Sequence, residues 1–471
     1  MAETTVPRVT HLDGGRVRAF RDHFRGEVIE PGASGYDDAR RLWNAIWDRR
    51  PAIVARPTSP DDVAAAIRFA REEQLPVAVR GGGHGAAGHG TMDGGLLVDL
   101  GALRDVTVDA DRKVARVGGG ALLSQLDTAA QARGLVCPVG VVGHTGVGGL
   151  TLGGGNGRLQ RKLGMTIDSL RAVELVTADG RQVRVSAESE PELFYGIRGA
   201  GANFGIVTTF EFDLHPYDGT ITRSVRMYDI RHVHEVWGRF RDFVAVAPDE
   251  LILSLVIARA VPEADYPPGV AGSPIVIVGL NHCGDPATVE RDTAPLAAGP
   301  EAFLASGGTV PYLELQAMND EPMGWGHRAW IQGALVDDLA PGTLDALVEH
   351  VGSAPGESSV ALAALGGAIS RIPPEATAYP GRTAGFDISA DGLWDDPAED
   401  ESTIAWIRRA LAIAEPDALE GCYVNELSDD DPVLGPSIYG RAAWARLVAL
   451  KRAWDPENVF RANQNIPPAG E

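Results

Sequence analysis

The sequence predicts an α+β protein that carries a second α+β unit as an insertion. Three observations predict it. Short apolar runs alternate with glycine clusters in the first half; strands and helices alternate there without the regular spacing of a doubly wound sheet; and a long middle block lacks such clusters. At 471 residues the chain exceeds one ordinary core, and 44% hydrophobic residues suffice for two. With 64 acidic against 42 basic side chains, the formal charge of -22 repels phosphate backbones and anionic lipid surfaces. Nucleic-acid and membrane partners are therefore disfavoured.

The opening MAETTVPRVTHLDGG has no basic start followed by an apolar core, and no apolar run approaches the length of a membrane span, so a soluble cytoplasmic protein is expected. Cys137, Cys283 and Cys422 are odd in number and far apart, which fits buried free thiols better than disulfides or a cysteine zinc site; no metal is expected.

In TSPDDVAAAIRFAREEQLPVAV, Ser59 reads as an N-cap, Pro60 as the first helical residue, and Val63, Ile67 and Ala70 as one buried face; Pro76 ends the helix and a strand follows. ALLSQLDTAAQARGL places Leu122, Leu126 and Ala130 on one helical stripe. The glycine-dense VGVVGHTGVGGLTLGGGNG is read as non-helical throughout. LRAVELVTADGRQVRVS reads as a hairpin turning at Asp179-Gly180, and SEPELFYGIRGAGANFGIVTTFEFDLHP as a Ser189-capped helix, a third glycine cluster and a strand. Residues 217–419, with strands such as SPIVIVGL and helices such as TIAWIRRALAIAE, form the expected inserted unit. It divides a first domain, 1–216 (core about 48–216), from a C-terminal segment, 420–471, that returns to it.

RGGGHGAAGHG, Arg80 to Gly90, contains G-x-G-x-x-G at Gly83, Gly85 and Gly88 after a predicted strand. A dinucleotide loop must open into a helix that receives the pyrophosphate, whereas TMDGGLLVDL offers a turn and another strand, so that match fails in context. Glycine loops still let backbone approach a flat or anionic ligand closely while presenting N–H donors.

RGGGHGAAGHG, GHTGVGGLTLGGGNGRLQRKLGMTID, LFYGIRGAGANFGIVTTFEF, YVNELSDDD and DPENVFRANQNIPP, in this order, resemble the FAD-linked oxidases of the vanillyl-alcohol-oxidase (PCMH-type) superfamily, in the bacterial berberine-bridge-enzyme-like branch. The resemblance implies a two-subdomain FAD-binding domain and a substrate domain in which helices cover an antiparallel sheet. It implies FAD bound covalently through His84, the only other imidazole of that motif being His89. The cysteine that makes a second bond in some relatives falls on Val142, so a single attachment is implied. By the same resemblance the cofactor is lined by Arg80, Gly81, Gly82, Gly83, Gly85, Gly88, His89, Gly90, Val142, Thr145, Gly146, Gly148, Gly149, Leu150, Gly153, Gly154, Gly155, Gly157, Gly205, Ile206, Tyr439, Asn463 and Asn465.

The activity implied is hydride transfer from substrate to flavin, with O₂ as acceptor and H₂O₂ as product. His144 and Thr145 then fall beside the reactive edge. Relatives use a tyrosine of a Y-x-N-Y motif, which here reads Tyr423, Val424, Asn425, Glu426; on a strand Tyr423 and Glu426 would face opposite sides. The run Val360–Ala363 before Gly366 lacks the polar or acidic side chain that relatives often carry there, so either the base lies elsewhere, at Glu314, Tyr312, Tyr379 or His282, or the substrate needs little proton abstraction, and the apolar run implies a hydrophobic alcohol of the secondary-metabolite type. The alternatives are an amine oxidase of the 6-hydroxynicotine-oxidase type, a dehydrogenase that shuns O₂, and a non-catalytic flavin carrier.

Overall fold

The structure, a computed structural model, describes residues 12–469 except 218, 262–265 and 429–434; residues 1–11 of the opening segment and the acidic run Asp429–Asp431 quoted above lie outside the described residues. The predicted first helix spans Pro60–Glu72: Ser59 Oγ accepts from Asp62 N at 3.2 Å, and Val63, Ile67 and Ala70 are buried. Burial of Val63 and of Ile67 each contributes about 1.5–3 kcal/mol. The helix leads into Val77–Arg80, which pairs in parallel with Leu96–Asp99; Ile53–Arg56 and Glu27–Ile29 complete a four-stranded sheet. Two consecutive parallel strands without the helix a dinucleotide fold requires bear out the rejected G-x-G-x-x-G reading.

A five-stranded antiparallel sheet follows, with Ile206–Asp213 at its centre between Val114–Gly118 and Leu170–Val176. Residues between Thr220 and Trp394 supply a seven-stranded antiparallel sheet. Helices Val233–Val244, Pro341–Val351 and Asp400–Ala414 cover one face of it, packing Trp237, Phe240, Leu347 and Ile407 against Leu253, Leu255, Leu362 and Ile388. Its other face turns toward the glycine loops. The C-terminal helix Arg441–Trp454 returns to the first part of the chain through Lys451, whose buried Nζ donates to Asn203 O at 2.9 Å and Phe460 O at 2.7 Å. No described helix is long and apolar enough to cross a membrane.

Three local expectations fail. Val147–Gly153, inside the run read as non-helical, is an α-helix. Gly148 costs helix propensity of about 1 kcal/mol, but a Cβ there would lie 2.9 Å from Gly119 O, so close backbone packing outweighs the cost. The helix Pro191–Ala200 is capped at Glu190 in the left-handed region (φ 59), while Ser189 Oγ donates to Arg184 O. Val424–Glu426 forms a single 3₁₀ turn rather than a strand. Of the cysteines, Cys137 and Cys283 are buried, Cys422 is partly buried, and all are free.

Candidate active site

A cavity of about 670 Å³ lies where the glycine loops, the C-terminal segment and the open face of the large sheet meet. Its size suits a cofactor or drug-sized ligand. Of the sequence-predicted residues, Arg80, Gly81, Gly82, Gly83, His84, Gly85, His89, Gly90, Val142, Thr145, Gly146, Gly148, Gly149, Leu150, Gly153, Gly157, Gly205, Ile206, Tyr423, Glu426, Tyr439 and Asn463 line it. Gly88, His144, Gly154, Gly155 and Asn465 do not. Gly88 backs onto Trp47, where a Cβ would stand 2.3 Å from Cγ. His144 is turned to Asp320 O, 3.1 Å from its Nε2. Gly155 gives its N–H to Tyr423 Oη at 3.0 Å, so this turn supports the wall from behind.

The loop bearing His84 is anchored at its root by a buried ion pair. Arg80 Nη2 donates to Asp99 Oδ2 at 2.8 Å, and Arg56 Nε meets the same oxygen at 2.9 Å. Burial alone would raise the Asp99 carboxyl, but the two guanidiniums and the Gly101 N–H hold it below the usual range. Arg80 Nη1 also donates to Arg41 O, tying in the segment that carries Trp43. Trp43 N donates to Gly83 O at 3.0 Å, and its indole stacks on His84. Burial, with the nearby His144, pushes the His84 imidazole down to about 3, so it is neutral at any working pH. Its Nε2 is buried without a hydrogen-bond partner.

Tyr423 and Glu426 do not face opposite sides: the 3₁₀ turn brings both to the cavity wall. Tyr423 Oη accepts from Gly155 N at 3.0 Å, Asn156 N at 3.2 Å and Asn425 Nδ2 at 2.9 Å. Burial nonetheless pushes the phenol up to about 12. With its lone pairs occupied and its proton retained, Tyr423 can only donate to a ligand.

Glu426 sits against Asp387 of the strand Phe386–Trp394, in space that Gly333 leaves open: a Cβ there would be 3.1 Å from Glu426 Oε2. Neither oxygen of Asp387 has a well-aligned hydrogen-bond partner; Glu426 and Asn156 are the polar side chains facing it. Burial pushes Asp387 up to about 7, and burial together with the Asp387 and Asp391 charges raises Glu426 well above the usual range. Two carboxyls so placed share a proton.

Asp387 and Asp391 escaped the sequence reading, although the alternation in FDISAD, with Asp387, Ser389 and Asp391 between Phe386, Ile388 and Ala390, was the signal that could have found them. The apolar wall read at Val360–Ala363 is corrected too. Val360 and Leu362 face the helices, and only Ala363 of that run lines the cavity, on a sheet face that also carries Ser254 and Asn281. The other candidate bases are spoken for or exposed: Tyr312 donates to Asp127, His282 Nε2 lies 3.0 Å from Asp292, Glu314 is exposed, and Tyr379 stands behind Tyr423 outside the lining.

Glycine loops, a neutral imidazole and a buried carboxyl pair at one cavity suit an enzyme site with a bound organic cofactor, and comparison with known proteins identifies its class. The family model of the FAD binding domain matches residues 51–186, and that of the berberine and berberine-like region matches 422–467. The chain is 30% identical to (R)-6-hydroxynicotine oxidase of Paenarthrobacter nicotinovorans over 470 residues, covering 95% of this chain and 97% of that one. It is 29% identical to an uncharacterized FAD-linked oxidoreductase of Bacillus subtilis over 454 residues, 94% and 97% of the two chains. The crystal structure of 6-hydroxy-D-nicotine oxidase from Arthrobacter nicotinovorans superposes with a TM-score of 0.84 at 27% identity, covering 94% and 98%. A carbohydrate oxidase from Microdochium nivale shares the fold, with a TM-score of 0.86 at 22% identity over 96% and 100%. The chain belongs to the berberine-bridge-enzyme-like FAD-linked oxidoreductases, with their PCMH-type α+β fold, and is an FAD-dependent oxidase.

Proposed function

We propose that the protein oxidises a small alcohol, or a related C–H substrate, using FAD bound covalently through a single attachment at His84, with Glu426 and Asp387 taking the substrate proton. The observation that carries this reading is the buried, neutral, unpartnered Nε2 of His84 at the wall of a glycine-lined cavity. A nucleophilic imidazole must be neutral with a bare lone pair, and the stack on Trp43 holds this one in place.

The residues fit the cofactor in a second respect. Beyond Gly85 and Gly149 an added Cβ would meet nothing within 4 Å, so both glycines border open cavity where main chain can lie against a ligand. Arg80 to Gly85, Gly146 to Gly149, Gly205 and Asn463 would hold FAD, with Thr145 and the His144 loop near its reactive edge. When bound, FAD would supply the two-electron acceptor chemistry, with O₂ as terminal acceptor and H₂O₂ as product.

The chain's own part is proton handling and orientation. Glu426 touches the cavity, and Asp387 behind it tunes and shares its proton near neutral pH, where a general base works best. Tyr423 orients the substrate heteroatom by donating its hydroxyl hydrogen. Acid precipitation of the yellow protein, followed by mass spectrometry of the peptide containing His84, tests the attachment. Peroxide detection across alcohols and amines tests the reaction. Colour left in the acid supernatant rejects the covalent bond, and absence of peroxide with every class rejects the oxidase chemistry.

A further inference from the structure

Arg158 lines the cavity although it is only 9% exposed. Its Nη1 donates to Gln316 Oε1 at 3.2 Å and to Val141 O at 3.4 Å, and among the described residues no carboxylate lies within ion-pair distance. Of the other buried guanidiniums, Arg40, Arg80 and Arg382 pair with acids, and Arg161 is spent on the Leu365 and Ala247 carbonyls. The nearest acids are engaged elsewhere. Asp127 accepts from Tyr312 Oη and Gln316 Nε2, and Asp320 Oδ1 accepts from Gly143 N.

A second guanidinium stands beside it. Arg223 lies opposite Asn281 in the sheet register, so the two side chains share a face, and Asn281 lines the cavity. Its Nη1 donates to the Met318 sulfur at 2.8 Å, and among the described residues it forms no ion pair. Burial pushes Arg158 down to about 10, and the charge of Arg223 presses in the same direction. Two cations kept together with no ion-paired acid, one of them buried and Asp127 and Asp320 acting on it only from beyond ion-pair distance, cost free energy unless a ligand brings the missing charge. Asn281 and Asn319 add neutral hydrogen-bonding groups to the lining.

We propose that Arg158, with Arg223 alongside, is an anion-binding subsite that recognises a carboxylate on the substrate. The planar guanidinium fork matches a carboxylate with two parallel hydrogen bonds, which makes this contact the specificity determinant. Arg223 and Asn281 stand on Thr220–Asp229 and Pro274–His282 toward one end of the seven-stranded order, whereas Glu426 packs against Gly333 and Asp387 on Arg328–Val336 and Phe386–Trp394 at the other, so the cations and the carboxyl pair mark separate ends of the site. One end takes the anion and the other the proton. This assignment rests on the cavity being the oxidase site, but its test does not need turnover.

The test is calorimetric titration of the purified holoprotein with benzoate and with the size-matched neutral benzyl alcohol, the flavin absorbance being followed in parallel. Benzoate is expected to bind roughly tenfold or more tightly than benzyl alcohol. Arg158→Gln is expected to abolish that preference by weakening benzoate far more than benzyl alcohol. Arg158→Lys, which keeps the charge and loses the fork, is expected to fall between. Equal affinity for the two probes, no heat with benzoate, or an unchanged preference in Arg158→Gln overturns the subsite, and inorganic phosphate binding as tightly as benzoate overturns the carboxylate assignment. A colourless protein that still prefers benzoate retains the anion subsite and rejects the flavin reading instead.

Discussion

The imidazole of His84 lies flat on the indole of Trp43, with ring centroids 4.3 Å apart and planes inclined by 16°. Trp43 Nε1 is in turn bonded to Met323 O at 2.7 Å, so the stack is braced from the inserted unit as well as from the glycine loop. His84→Ala is expected to bind flavin only reversibly, its colour passing into the supernatant on acid precipitation. Trp43→Ala is expected to keep His84 but lower the covalently attached fraction, measured as fluorescence of the denatured band. An acid-stable flavin in His84→Ala would place the bond on another residue.

The depressed imidazole also makes a prediction about pH. The His84 pKa is about 3 in the fold against 6.5 in the unfolded chain, so the unfolded state binds the extra proton between those values. Stability from this group is present above 6.5 and is lost as the pH falls toward 3. The flavin-free protein is therefore expected to lose melting temperature over that window, and His84→Ala is expected to lose less.

The carboxyl pair gives the opposite sign. Asp387 is raised from 3.8 to about 7, so its stability contribution is full below 3.8 and is lost as the pH rises through 7. Asp387→Asn is expected to match the parent in thermal melts at pH 4 and to exceed it at pH 8. In turnover the pair accepts a proton only after losing one, so kcat/KM should rise through about 7. Glu426→Gln should lower kcat by roughly 10²–10⁴ and flatten that rise. An unchanged profile in Glu426→Gln would move the base elsewhere.

What the sequence carried and what it hid divide along physical lines. The Ser59 cap, the buried stripe from Val63 to Ala70 and the Asp179-Gly180 hairpin are local, set by neighbouring residues, and all are found. His84 was legible because its motif is contiguous. The helix Val147–Gly153 was not, because backbone contact with Gly119, nearly 30 residues away, overrides its glycines. Nor was the Asp387–Glu426 pair, which joins a strand to a 3₁₀ turn across the fold. Arg158 carries no signal in the sequence, and only packing leaves it buried without an ion-paired acid.

The glycine loops depend on contact as well as on exposure to the ligand. A Cβ on Gly82 would stand 2.3 Å from Gly146 N and 2.6 Å from its Cα, backbone that cannot swing aside. Gly82→Ala is therefore expected to spread the two loops, giving protein with little flavin and a lower melting temperature. Gly342→Ala, in the first turn of a helix where a Cβ meets nothing within 4 Å, is the control and should leave both unchanged.

Lys451 ties the C-terminal segment to the cofactor-side wall. Its side chain and that of Asp455 are fully buried, 2.8 Å apart, and its Nζ also reaches Asn203 O and Phe460 O. Asn203 in turn accepts from Ile466 N through Oδ1, so one ammonium fixes the path on which Asn463 reaches the cavity. Lys451→Met leaves Asp455 charged and buried, with two carbonyls short of a donor, a change that costs about 3–5 kcal/mol. It is expected to lower the melting temperature and the flavin content together. Adding Asp455→Asn removes the stranded charge but not the stranded carbonyls, so the double variant should recover part of the melting temperature and little of the flavin. Full recovery of both would mean that the ion pair, rather than the carbonyl contacts, holds the segment in place.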